Sequence, residues 1–267
     1  MGVLNVTPDS FSDGGRHEGL EGALAHAERM IADGADVLDI GGESTRPGAE
    51  PTPEAVEMAR VLPLIAALRP RTDIPISIDS RRPAVARAAV GAGATMWNDI
   101  SGLAGDPESL ETAAALGVPV VIMHMQGEPA TMQRAPRYGD VVGEVGAWLT
   151  GQAEAAMAAG VRRDRIWLDP GLGFGKSIDH NLALLASLDR LVGLGFPVLL
   201  GASRKGMIRA IDRAAAGPMD RLGGSLALAL TGARAGCAMV RVHDVRETVQ
   251  ALKVTQAIES AKARTHA

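Results

Sequence analysis

Short apolar runs rich in β-branched residues recur eight times along the chain, with helix-patterned stretches between them. They occupy residues 3–6, 37–40, 74–78, 96–99, 118–123, 166–169, 198–200 and 239–242. A run that is apolar at nearly every position suits a strand buried on both faces, as in a parallel sheet covered by helices. The stretches between carry helical spacing. Leu20, Leu24, Ala27 and Ile31 share one face, as do Leu185, Leu188 and Val192, and later Val245, Val249 and Leu252. Asp244 with Glu247 three positions on has the form of a capping box opening the last helix, and Pro83 suits the first turn of the third. Eight strand–helix units specify an α/β fold, a closed (β/α)8 TIM barrel. A doubly wound open sheet is the alternative.

Barrels of this kind need roughly 250 residues as one unit, so the 267 residues fit a single domain over 1–267. Aromatic residues make up 3% of the chain, which leaves Leu, Val, Ile and Ala to build the core. Cys237 is the single cysteine and lies in the apolar stretch 235–242, so it reads as a small core residue in a reducing, cytoplasmic compartment. No charged leader precedes an apolar segment, and no apolar run approaches the ~18 residues of a membrane span. A net charge of -4 lacks the basic footprint of a nucleic-acid binder. What remains is a soluble, enzyme-like domain.

Polar groups sit at the strand ends. Asn5, Asp39, Asp79, Asn98, His124, Asp169, Lys205, Arg241 and His243 each close a strand or follow it closely. Solvation explains one or two such positions. Nearly all of them together point to the mouth of a barrel, where the C-terminal strand ends converge and active sites form.

Residues 5–15, NVTPDSFSDGG, begin as a strand and become a polar loop, with Phe11 as the apolar side chain suited to cover a ligand. Turn geometry alone also accounts for its Asp and Gly residues. Residues 41–48, GGESTRPG, offer Arg46 as a planar fork for an anion. Residues 169–177, DPGLGFGKS, fit neither a P-loop nor a dinucleotide fingerprint, because the glycine spacing is wrong for both. They read as a strand-end carboxylate followed by glycines that leave room for a flat ligand. Asp79, Asn98 and Asp169 then line one pocket with groups suited to a ring presenting several N–H donors. Helix capping is the competing account of Asp79. Residues 201–206 and 241–244 bring cations to the seventh and eighth units, where barrels commonly bind phosphate. Arg241 and His243 are two apart on a strand and so face one side. The histidines are scattered and no cysteine pair exists, so no zinc pattern is present. Magnesium, which binds few protein oxygens, remains compatible, with Asn5 as its contact.

The segments 5–15, 41–48, 78–80, 97–102, 123–126, 169–176, 203–205, 221–225 and 241–244 resemble, in order, the signature stretches of the dihydropteroate synthase family. The resemblance implies that Asp79, Asn98, Met123, Asp169, Phe174 and Lys205 hold a pterin. It places p-aminobenzoate against Phe11, Thr45, Pro47 and Lys205. Asn5, Arg46, Arg241 and His243 would handle a diphosphate, with Mg2+ on Asn5. Asp169, Lys205, Arg241 and Asn5 would be the catalytic groups. The family reaction is dissociative: diphosphate leaves the pterin methylene carbon and the arylamine attacks the resulting cation. A neutral arylamine needs no base at pH 7, so electrostatic preorganisation is the enzyme's task. The family also implies a homodimer through the last helices.

Two departures from the family pattern stand out. The chain begins almost at its first strand, without the usual short hairpin, so an exposed barrel floor or an upstream start is expected. Gly206 stands where many members have a serine that contacts p-aminobenzoate. Two other functions share some of these features. A methyltetrahydrofolate-dependent corrinoid methyltransferase would keep the pterin pocket but would not need Arg46 or the cations of the last two units. A non-catalytic pterin-binding paralogue would not need intact first loops.

Overall fold

The computed structural model describes residues 1–6, 16–43, 52–128 and 131–265. Each apolar run becomes a strand: β1 Gly2–Asn5, β2 Leu38–Gly41, β3 Ile76–Asp79, β4 Met96–Asp99, β5 Val120–Met123, β6 Ile166–Asp169, β7 Leu199–Leu200 and β8 Met239–Val240. Helices alternate with them: α1 Arg16–Ala32, α2 Glu54–Leu68, α3 Pro83–Gly91, α4 Ser109–Leu116, α5 Val141–Ala158, α6 Ile178–Ala186, α7 Leu188–Val192, α8 Gly206–Ile211, α9 Leu222–Arg234 and α10 Val245–Thr265.

All strand pairs are parallel, β1 through β6 in sequence order and β7 with β8. Parallel bridges Leu168–Val198 and Gly2–Val242 join the two sheets at both seams. At the second seam the Val3 N–H donates to the Val242 carbonyl and the Val242 N–H to the Met1 carbonyl, each at 2.9 Å. The ring of eight is therefore closed, and the fold is the (β/α)8 barrel.

Alternation along each strand separates two cores. Leu38, Ile40, Ile76, Ile78, Trp97, Val120, Ile122, Ile166 and Leu168 face the helices and join the main cluster. Val37, Met96, Val121 and Leu199 face inward with Met1, against half-buried Trp167 and Met239. Two residues further along the same strands stand Asp39, Asn98, Met123, Asp169 and Arg241. Period-2 geometry thus puts an apolar layer beneath a polar one on the same inner surface. Met1, at 7% exposure, belongs to that lower layer, whose Trp167 and Met239 stay half-buried.

Pro83 opens α3 as expected. Three local readings change. Leu185 and Leu188 pack in one core but not on one helix, because the backbone leaves the helical region at Ser187 and α7 starts afresh. The Asp244–Glu247 capping box does not form, since the Asp244 carboxylate is engaged by Arg204 at 2.5 and 3.0 Å. Cys237 is half-buried against the core rather than enclosed by it.

Candidate active site

The parallel register sets the polar residues level with one another. Asn5 pairs with Gly41, Gly41 with Asp79, Asp79 with Asn98, and Met123 with Asp169. Arg241 reaches across this ring from the strand-end after β8. Its Nε donates to Asp39 Oδ2 at 2.5 Å and its terminal nitrogen to Asp79 Oδ2 at 2.6 Å. Asn98 Nδ2 donates to the same Asp39 oxygen at 3.1 Å. Asp39 is fully buried and its other oxygen has no hydrogen-bond partner. It belongs to the site although it stands outside the candidate set. Its place among the strand-end polar groups, on the inward parity of β2, was the signal.

Asp169 accepts the Gly171 N–H at 2.7 Å. Lys205 extends its ammonium over the Phe174 ring, 4.3 Å from the centroid, a cation–π contact. Gly173 lies beside the Lys205 side chain, where an added Cβ would stand 3.4 Å from its Cδ. The other two glycines of this loop serve packing, which corrects the reading that all of them leave room for a ligand. Gly171 and Gly175 have φ of +66° and +61°, and a Cβ would stand 1.9 Å from the His124 carbonyl and 2.2 Å from that of Gln126. Only glycine fits there.

Burial pushes Asp79 up to about 7, with Asp39 adding to the rise and Arg241 opposing it. Asp169 is raised by burial too, against the Gly171 N–H, Lys205 and Arg241. Lys205 is pushed down to about 8, by burial first, with Asp169 resisting. The carboxylates hold Arg241 above the ordinary arginine range despite its desolvation. The inner mouth therefore has three carboxylates and two cations, with the charges partly cancelled. Asn5 stands at its rim, its Oδ1 3.4 Å from where a Cβ on Gly41 would be.

His243 lies beside Ser203, whose hydroxyl accepts the His243 backbone N–H at 3.2 Å and sits 3.0 Å from Nδ1. A serine hydroxyl has one hydrogen and two lone pairs, so it pairs with Nδ1 in either neutral tautomer. Burial, then Arg241, push His243 down to about 4, so near pH 7 it acts as a neutral N–H donor. The unfolded chain takes up that proton near 6.5. More protons are therefore bound by the unfolded state between about 6.5 and about 4, and stability falls as pH falls through that window. We expect wild type to lose up to about 2 kcal/mol through this group between pH 7 and 5, a loss absent from His243→Asn. Paired thermal melts of the two proteins check it; parallel pH profiles contradict it.

His124 is the strand-end group that does not join the mouth. Its ring packs edge-on against Trp148, with centroids 5.0 Å apart, and its Nδ1 lies 2.9 Å from Lys176 Nζ. Met123 is buried beside Gly171. Phe11, Thr45, Arg46 and Pro47 lie outside the described residues. Among the described residues no cluster of three or more His, Cys, Asp or Glu side chains is placed to hold a metal.

Sequence reading also missed an ion network between the loops after β2 and β3. Glu57 of α2 is fully buried and pairs with Arg82, which also donates to Glu43 at 3.2 Å and to the Thr52 carbonyl at 2.7 Å. Glu43 in turn accepts the Thr52 N–H at 3.0 Å. Both ends of the segment between Glu43 and Thr52 are thereby fixed to the start of α3. The signal was present: Glu57, Val61, Leu64 and Leu68 form one helix face, and an acid on an apolar face demands a partner.

Charged and hydrogen-bonding side chains gathered at the C-terminal mouth of a (β/α)8 barrel define a barrel enzyme. The chain belongs to the pterin-binding enzyme family, whose model matches residues 1–243. It is 48% identical over 262 residues to the dihydropteroate synthase of Escherichia coli strain K12, covering 98% of this chain and 92% of that protein. The dihydropteroate synthase of Xanthomonas albilineans with 4-aminobenzoic acid superposes with a TM-score of 0.91 at 49% identity, covering 97% of this chain and 92% of that one. The same enzyme in complex with 7,8-dihydropteroate gives 0.88 at 47% identity, with the same coverage.

Proposed function

We infer that the chain is a dihydropteroate synthase, joining 6-hydroxymethyl-7,8-dihydropterin diphosphate to p-aminobenzoate with release of diphosphate. The observation that carries this reading is the ring of Asp79, Asn98, Asp169 and Lys205 level with Arg241 at one barrel mouth, in a fold whose relatives bind the arylamine and the product. Asp169, Asp79 and Asn98 take the N–H and carbonyl edge of the pterin, with Met123 and Phe174 against its faces. Lys205 serves both the pterin and p-aminobenzoate, and Phe11, Thr45 and Pro47 are assigned to the arylamine. Arg241, Arg46 and His243 take the diphosphate.

Carbon–oxygen cleavage puts negative charge on the diphosphate and positive charge on the pterin methylene. On this reading the cations and the imidazole serve the leaving diphosphate and the carboxylates the methylene, with Arg241 held between them on Asp39 and Asp79. Asn5 offers a hard amide oxygen and few protein oxygens accompany it, a donor set that fits magnesium held largely by water and phosphate. The ion would supply charge neutralisation on the leaving group. Residues 1–267 act on this reading as one domain.

Coupled turnover with pterin diphosphate and p-aminobenzoate, read as diphosphate release, tests the assignment. No release, or methyl transfer from methyltetrahydrofolate, overturns it. On the same reading, p-aminobenzoate binds at least about tenfold more weakly when diphosphate and magnesium are left out. Calorimetric titration of the free protein checks this, and tight binding there contradicts it.

No helix among the described residues is long and apolar enough to cross a membrane, in keeping with a cytoplasmic enzyme. A homodimer through the last helices is supported by Val254 and Ile258 of α10, which are 55% and 49% exposed. Light scattering tests it, and a monomer at micromolar concentration rules it out.

A further inference from the structure

Lys176 is 2% exposed, and its side chain bonds no side chain assigned above to the ligands. Its Nζ instead lies among four acceptors: His124 Nδ1 at 2.9 Å, the His124 carbonyl at 3.2 Å, and the Gly171 and Phe174 carbonyls at 3.0 Å each. A cage made only of acceptors matches an ammonium, which has three N–H donors and no lone pair. The His124 ring then carries its own hydrogen on Nε2.

Two of those carbonyls connect directly to the site. Gly171 gives its carbonyl to Lys176 and its N–H to Asp169, at 2.7 Å. Phe174 gives its carbonyl to Lys176 while its ring lies under the Lys205 ammonium. The loop between β5 and α5 holds the carbonyls on either side of Phe174: Gln133 donates to Gly173 and the Tyr138 hydroxyl to Gly175. Lys176 thus binds the end of β5 and the loop after β6 at once.

We propose that Lys176, acting with His124, is a positioning residue that sets Asp169 and Phe174 for the pterin. The proposal rests on reading the mouth as a pterin site. A lysine that only stabilised the fold would alter the melting temperature and leave the pterin affinity of the folded protein unchanged. A positioning lysine moves Asp169 and Phe174 when it is lost, and so weakens pterin binding and turnover together.

The test compares wild type with Lys176→Met, which keeps the length of the side chain, and His124→Leu, which removes one acceptor of the cage. Calorimetry with the pterin alcohol gives affinity without turnover, and steady-state assays give kcat and both KM values, each well below the melting temperature. Lys176→Met is expected to weaken pterin binding by about tenfold or more and to lower kcat, with KM for p-aminobenzoate changed less than about threefold. His124→Leu should show a smaller loss of the same kind and a shift in Trp148 emission. Pterin affinity and kcat within about twofold of wild type in folded Lys176→Met overturn the proposal. If that variant does not fold, unchanged pterin affinity in His124→Leu overturns it. Failure of wild type to bind pterin would instead refute the functional reading.

Discussion

Asp169→Ala is expected to weaken pterin binding by ~10²-fold or more. The carboxylate ends β6 on the inner face of the barrel, and one of its oxygens already accepts the Gly171 N–H. Burial raises its pKa against the Gly171 N–H and the Lys205 and Arg241 charges, so its anion gains from further hydrogen-bond donors. A ligand edge with adjacent N–H donors supplies them. Each hydrogen bond to a charged group is worth about 1.5–3 kcal/mol, and two of them give the ~10²-fold effect. Alanine removes both and leaves the Gly171 N–H without its acceptor. Calorimetry with the pterin alcohol reads the change directly. Near-wild-type affinity in the variant would falsify the assignment of Asp169 to the ring.

Arg241→Ala should be the most destabilising single change in the mouth. The guanidinium pairs with Asp39, which is fully buried, and with Asp79, whose side chain is 12% exposed. Removing one partner of a buried ion pair costs about 3–5 kcal/mol, and the lower end applies because Arg241 is itself 21% exposed. The loss depends on pH. Asp79 in the folded protein is raised to about 7, so the folded state binds more protons than the unfolded one between 3.8 and about 7. That contribution to stability is present at low pH and lost as pH rises through the window. Arg241 opposes the rise, so its removal extends the window upward. The stability gap between variant and wild type should therefore be widest above pH 7 and shrink toward pH 5. Thermal melts across that range check it, and a gap independent of pH would mean that the carboxylates do not depend on Arg241.

The same variant locates Arg241 along the substrate. Acting on the diphosphate, as proposed, its loss weakens pterin diphosphate much more than the pterin alcohol. Equal losses would assign it to the ring, where its guanidinium rests against Asp39 and Asp79 in this structure.

Local order was legible wherever it depended on burial of a strand or helix. Every expected strand forms, within about two residues at its ends, because a segment buried on both faces must be apolar throughout. Boundaries drifted in short elements such as β7 and β8, and α6 parted from α7, because a turn at one serine leaves no mark on the hydrophobic pattern. The Asp244 cap was misread for a related reason. Its spacing to Glu247 is a local feature, but its carboxylate was claimed by Arg204, 40 residues away.

The sequence by itself determined that the chain alternates strand and helix and, His124 apart, which polar residues reach the inner face at the strand ends. Both follow from burial and from the two-residue period of a strand, which act over a few neighbouring positions. Tertiary structure alone decided the partners. Arg241 meets Asp39 and Asp79 across 202 and 162 residues, Lys176 finds His124 across 52, and Arg82 finds Glu57 across 25. These pairs exist because folding removes water from the small volume that each pair shares, where an unpartnered charge is costly. Which charges share that volume is set by the register and closure of all eight strands, and no single stretch of sequence carries that information.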